Sequence, residues 1–240
     1  MAMKETQQYL LTDQNLIGSI RDKVRGDFLV TSIAIVVPLT LCLVVYWMFP
    51  ERIEVLFRDP VASARSGGLH HFKFYAGALS HFGIFLWTIS AAVTLFSAAS
   101  IVQFSHVSSK TLELLLSTGA LSLLLMADDL FMFHEIVFPS LGIAEPVTYG
   151  TYALLICLYL FRNIATIAAG HITLVMATFG FFGVSVLSDI VLTHPDGIFL
   201  LVEDGAKLIG IFCWMTFAIL ESQKALVDGF SAQRRRAGYR

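Results

Sequence analysis

The sequence predicts an all-α fold, a polytopic integral membrane bundle of six transmembrane helices with both termini cytoplasmic and an amphipathic helix at the N-terminus. Three observations point there. The 240 residues are 56% hydrophobic and only 14% charged, with a mean hydropathy of +0.74, whereas a soluble domain holds about 25% charged residues. Apolar runs of about 20 residues, the length needed to cross hydrocarbon, recur along the chain. Lys and Arg also divide unevenly between alternate connections, which sets orientation in a bilayer.

Taken in order, residues 1–27 hold Leu10, Leu11, Leu16, Ile17 and Ile20 among charges, with Asp13 as an N-cap. This segment is expected to lie on the cytoplasmic membrane surface. The transmembrane domain is 28–222, and its first span is Phe28–Phe49, stopped by Pro50. A mixed-charge connection, Glu51–Lys73, follows and carries Gly67, Gly68, His70 and His71. The remaining spans are expected near Phe74–Phe104, Thr111–Phe138, Pro146–Phe161, His171–Thr193 and Phe199–Glu221. Residues 223–240 form a basic cytoplasmic tail that carries Arg234, Arg235 and Arg236 and is expected to touch anionic lipid.

With six spans, one side collects Lys4, Arg21, Lys23, Arg25, Lys110, Arg162, Lys224 and the tail arginines, while Arg52, Arg58, Arg65 and Lys73 sit in a single loop on the other. The termini are therefore expected in the cytoplasm, in a cytoplasmic (inner) or plasma membrane. Net charge is -2 and no basic patch is interleaved with aromatics, so nucleic acid is excluded as a partner. The expected partners are membrane lipids, with other membrane subunits or further copies of the chain. Cys42, Cys157 and Cys213 lie inside apolar runs without a C-x-x-C spacing and read as small core residues.

The stretch that defies this apolar background is Ala127–Glu135, A-D-D-L-F-M-F-H-E, at the end of the third span. One Asp facing lipid near mid-membrane costs roughly 2.5–3.5 kcal/mol, so Asp128 and Asp129 must face a bundle interior, a wet cavity, a cation or one another. Depth supplies companions. At 1.5 Å of rise per residue, Asp128 lies about 27 Å beyond Lys110, Asp189 about 27 Å beyond His171, and Asp204 about 30 Å before Lys224. His81 lies about 33 Å before Gln103 on the same rise. These groups share one level in the outer leaflet, with His70, His71, His134, His194 and Asp196 just above it. The inner half carries only Glu113 and Glu221 near helix ends, with His106 and His171 on that side.

On a continuous third helix Asp128 and Glu135, seven residues apart, point the same way. Ser185 and Asp189 share a face of the fifth span, and Glu203, Lys207 and Gly210 a stripe of the sixth, where Gly205 and Gly210 admit a close neighbour. Carboxylates and imidazoles converging from several helices are how metal sites are built in bundle cores. His81, Asp128, His134, Glu135, Asp189, Glu203 and Asp204 are the candidate ligands, and their oxygen–nitrogen mix suits a divalent transition metal such as iron, manganese or zinc. Neither a Glu-x-x-His nor an H-E-x-x-H spacing accompanies them. Asp128, Glu135, Asp189 and Lys207 are the candidate acid–base groups, with Lys207 expected to pair with Glu203 or Asp204. Tyr46, Trp47, Tyr149, Tyr152 and Trp214 fall near span ends, where an aromatic belt would stand.

Three functional readings follow. The first is a metal-dependent intramembrane hydrolase or oxidoreductase acting on a small or lipid-soluble substrate. The second is a proton- or cation-coupled transporter or channel that uses the same acids as a relay. The third is a non-catalytic subunit of a larger membrane complex.

Overall fold

The computed structural model describes residues 2–57, 75–103, 108–191, 197–236 and 238, with residues 2–23 as backbone only. Among them every regular element is helical. Helix α1 is Ala2–Met48, followed by a 3₁₀ turn at Pro50–Arg52 and the short α2, Ile53–Phe57. Then come α3, Ala78–Ile101, and α4, Ser109–Phe131. A π-helical turn at Phe133–Val137 leads into the single turn α5, Phe138–Ser140. Helices α6, Glu145–Ala169, α7, Ile172–Val191, and α8, Gly197–Arg236, complete the chain.

Among the described residues five helices are long and apolar enough to cross a membrane: Val24–Met48 of α1, α3, α4, α6 and Ile172–Asp189 of α7. The segment expected as a sixth span lies within α8, which carries Glu203, Asp204, Lys207 and Glu221. That helix keeps its charges because it is the axis of the bundle. It packs against α7, α3, α1, α2 and α4, and Trp214, Phe217 and Cys213 are fully buried along it. Its 40 residues extend about 60 Å, twice the hydrocarbon thickness.

Sequence chemistry explains the close packing around this axis. Gly210 faces α7 so tightly that a Cβ there would stand 2.6 Å from the Phe182 ring and 3.1 Å from the Thr178 carbonyl oxygen. Small residues at a helix crossing allow backbones to approach where no hydrophobic drive separates protein from lipid. Gly205, expected to act likewise, meets only ordinary contact with Cys42. On α3, Ser90 and Thr94 satisfy their hydroxyls on the carbonyls of Leu86 and Ser90, one turn back. Trp214 stands at the centre, with the rings of Trp87, Tyr159, Phe179 and Phe217 at centroid distances of 5.5–6.3 Å. It is core rather than belt, since α8 is enclosed on every side at that depth.

Helix α1 shows no break at residue 27. The surface segment expected at 1–27 continues straight into the first span, and Asp13 lies inside the helix rather than at its cap. A clasp holds α1 to α7: Asp27 accepts from Thr173 Oγ1 at 2.7 Å and meets His171 Nδ1 at 2.8 Å, and the Thr31 and Thr173 hydroxyls lie 2.7 Å apart. Helix α6 is peripheral, with Phe161 83% exposed. It is tied to α4 by Arg162 Nε donating to Glu113 at 2.6 Å.

Candidate functional site

Helix α4 starts where the Ser108 hydroxyl accepts the Lys110 N–H and stops inside the A-D-D-L-F-M-F-H-E stretch. The stop is Met132, at φ 54, a left-handed conformation that costs a non-glycine residue on the order of 1 kcal/mol or more. Its N–H bonds back to the Asp128 carbonyl. The strain is offset at once by Asp128, whose Oδ1 accepts the His134 backbone N–H at 3.1 Å and whose Oδ2 meets His134 Nδ1 at 2.6 Å. The carboxylate thus caps the π turn that follows the break. The continuous third helix expected through Phe138 is therefore corrected. Asp128 and Glu135 do not share a face by seven-residue spacing, and His134 bridges them instead.

Asp128 is buried, and a third hydrogen bond reaches it from Tyr152 of α6 at 2.7 Å. This geometry assigns a proton to His134 Nδ1, and Nε2 then faces Glu135 Oε1 at 3.5 Å. Burial pulls the His134 ring down, but hydrogen bonds to Asp128 and Glu135 outweigh it and raise the ring to about 9. The same imidazole holds the Glu135 carboxyl below the usual carboxylate range, and the charge of Lys207 adds to the effect. The Tyr149 ring lies 5.4 Å from that of His134, tilted by 44°, and its hydroxyl is shared between Glu145 and Asp189 at 3.3 and 3.2 Å.

Asp129, one residue on, points to the other side of α4. It accepts Lys207 Nζ at 2.7 Å from α8 and Trp87 Nε1 at 2.9 Å from α3. Lys207 thus departs from the expected pairing with Glu203 or Asp204, because a carboxylate from a neighbouring helix reaches it with direct geometry. Asp204 faces the same small cavity, of about 30 Å³, lined with Lys207 by Phe57, Ser80, Asp129 and Ile211. That space admits one or a few waters. The roof is α2, fastened to the start of α3 by Gly77 N–H donating to the Val55 carbonyl at 2.8 Å and by Arg52 over the Tyr75 ring.

Of the residues the sequence singles out, Asp128, Asp129, His134, Glu135, Asp204 and Lys207 are brought together at one end of the bundle. His81 is exposed on α3, and Asp189 is exposed and held by Tyr149. Glu203 lies partly exposed on α8. His70, His71, His106, His194 and Asp196 lie outside the described residues. Among the described residues no group of three or more His, Cys, Asp or Glu side chains is arranged to hold a metal ion. The expected metal constellation is therefore not assembled, because the break at Met132 turns His134 and Glu135 toward Asp128 while His81 and Asp189 point outward. Trp87, Tyr149 and Tyr152 are the site residues that sequence reasoning missed. Tyr149 and Tyr152 fall where an aromatic belt would also stand, and nothing local marks Trp87 as the partner of an acid.

A family model described as Domain of unknown function (DUF8692) matches residues 34–220, and the chain belongs to that family. No curated protein and no solved structure matches the chain.

Proposed function

We propose that this member of a family of unknown function is a six-span membrane protein that takes up a proton or small cation in the acid pocket and exchanges it through the adjoining carboxylate–imidazole chain. In this reading α8 is the sixth span, both termini are cytoplasmic and the pocket faces the outer side. The observation that carries it is the placement of three ionisable groups, Asp129, Asp204 and Lys207, around one cavity of about 30 Å³. Pockets for organic ligands measure about 300–1,000 Å³. Hydronium, water or a bare cation fits here, and a lipid-soluble substrate does not.

The two adjacent acids divide the work. Asp129 is neutralised by Lys207 and positioned by the Trp87 indole. Asp128 fixes His134, whose second nitrogen is turned toward Glu135. Glu135 is 47% exposed and also feels the charge of Lys207, so it stands between pocket and surface. A proton entering from outside thus meets Glu135 first, then either the imidazole or the pocket. Buried ionisable groups on several membrane helices mark proton relays and ion pathways. The hydrolase and oxidoreductase readings lose support, since two of the donors they would recruit, His81 and Asp189, are exposed apart from this cluster.

The test is proton flux into liposomes that hold the full chain, driven by an imposed potential and read by a trapped pH dye. Asp129→Asn and Asp204→Asn are expected to cut the flux by tenfold or more. Wild-type flux equal to that of empty liposomes, or full flux in both variants, refutes the reading. Metal analysis of the same preparation checks the alternative, a stoichiometric transition metal lost in Asp128→Asn.

A further inference from the structure

Volume alone lets a proton or a bare metal cation into the acid pocket; charge and donor count decide between them. The polar lining is Ser80 of α3, Asp129 of α4, and Asp204 and Lys207 of α8, and the rest is apolar. Lys207 Nζ donates to Asp129 Oδ1 at 2.7 Å, and Trp87 Nε1 donates to Oδ2 at 2.9 Å. Both oxygens of Asp129 are thus engaged, and the ammonium cancels its charge. Asp204 differs. It lines the same cavity, yet among the described residues it has neither a hydrogen bond nor an ion pair and meets its neighbours' charges only across space.

The charges that reach Asp204 are those of Lys207 and Glu203 on its own helix, Asp129 of α4 and Glu135 of the π turn. The Cys42 thiol of α1 also stands in its field. Glu135 is engaged by His134. With Asp129 and Lys207 paired, Asp204 carries the one charge in the cavity that no side chain cancels. A buried charge without compensation is costly, so a single positive charge is called for. A divalent cation would overshoot it.

A metal cation asks for more than charge. It exchanges its hydration shell for protein oxygens, and calcium and magnesium take about six or more. The cavity offers the two Asp204 oxygens and the Ser80 hydroxyl, with space in its 30 Å³ for one or a few waters. The place a metal would take beside Asp129 is filled by Lys207, a cation tethered to the protein. Nor do the described residues hold three or more His, Cys, Asp or Glu side chains arranged for a metal. A proton needs no shell, only a carboxylate and access to water. The Lys207 side chain lining the same cavity is 38% exposed, so solvent has that access.

We propose that the ion bound in the pocket is a proton, that Asp204 is the group that binds it, and that Lys207 excludes metal cations by standing in for one at Asp129. This deepens, and rests on, the reading of the pocket as an ion site. In the binding step a hydronium ion in the cavity gives a proton to one Asp204 oxygen, leaving a neutral carboxylic acid and a water. Release is the reverse, with water accepting the proton. The Asp129–Lys207 pair stays ionised throughout.

The experiment uses the full chain in lipid. Infrared difference spectra across a pH titration read the carbonyl stretch of each carboxyl group that becomes protonated. One band of the wild type is expected to be missing from Asp204→Asn and kept in Glu135→Gln and Glu203→Gln. A spectrum of Asp204→Asn that matches the wild type overturns the assignment. If that variant does not fold, Asp204→Glu serves instead: the band should shift, and an unshifted band overturns the assignment equally. Melting temperatures in sodium, potassium or calcium chloride, with ionic strength matched by N-methylglucamine chloride, test the selectivity. The wild type should not respond, and Lys207→Met, where the space and charge of the ammonium fall vacant, should gain about 2 °C or more in sodium. A metal-dependent rise in the wild type that Asp204→Asn abolishes overturns proton specificity and leaves the ion site standing. No gain in Lys207→Met overturns exclusion by the lysine. The infrared band is read at equilibrium, so it is decided separately from whether protons cross the liposome membrane.

Discussion

Replacing Lys207 by Met removes the cation that Asp129 holds at 2.7 Å and leaves that carboxylate with the Trp87 indole alone. Breaking a fully buried pair costs about 3–5 kcal/mol, because the surviving charge is stranded. The Asp129 side chain is 10% exposed but that of Lys207 is 38% exposed, so water from the cavity compensates part of the loss. The range for a charged hydrogen bond, about 1.5–3 kcal/mol, is then the relevant one. Asp129→Asn strands the lysine instead and is expected to cost a similar amount. The double variant removes both charges and should be more stable than the sum of the two losses predicts. A coupling of about 1–3 kcal/mol is expected, the range for residues in direct contact. Unfolding in mixed detergent micelles, followed by tryptophan emission, measures all four proteins. Additive losses with coupling under about 0.5 kcal/mol, the scatter between independent sites, would refute the pair and with it the account of the pocket.

The remaining predictions concern the two sides of the site and the helix crossing beneath it. His134 is raised to about 9 in the folded chain against about 6.5 unfolded, so its contribution is complete below pH 6.5 and lost as pH rises through 9. Thermal melts of the wild type and His134→Gln should therefore differ most near pH 6 and converge by about pH 10. A gap that widens at high pH would contradict the assignment. Tyr152→Phe removes one of three hydrogen bonds to the buried Asp128 carboxylate and should cost about 1.5–3 kcal/mol in the same unfolding assay. Gly210→Ala drives a methyl toward the Phe182 ring and the Thr178 carbonyl. It should destabilise the protein by about 1–3 kcal/mol, the range for overpacking, with Gly205→Ala near neutral as the control.

What the chain decides alone is composition and depth. Hydrocarbon does not solvate charge, so runs of apolar residues announce spans, and ionisable groups within them are candidates for a buried site. Counting residues from the charged helix ends places Asp128, Asp189, Asp204 and His81 at one level; the structure brings Asp128 and Asp204 to one end of the bundle beside Asp129 and Lys207, and leaves His81 and Asp189 exposed. Tertiary structure decided who faces whom. Nothing in A-D-D-L-F-M-F-H-E marks Met132 as the left-handed stop, because the stop is stabilised by the return of His134 to Asp128 and by Tyr152 from a separate helix. Composition alone did not mark α8 as the axis, since its charges make it look the least suited to burial. It became the core because neighbours pack along its length and Asp129 of α4 supplies Lys207 with a partner, and such partnership is a property of packing that no local spacing encodes.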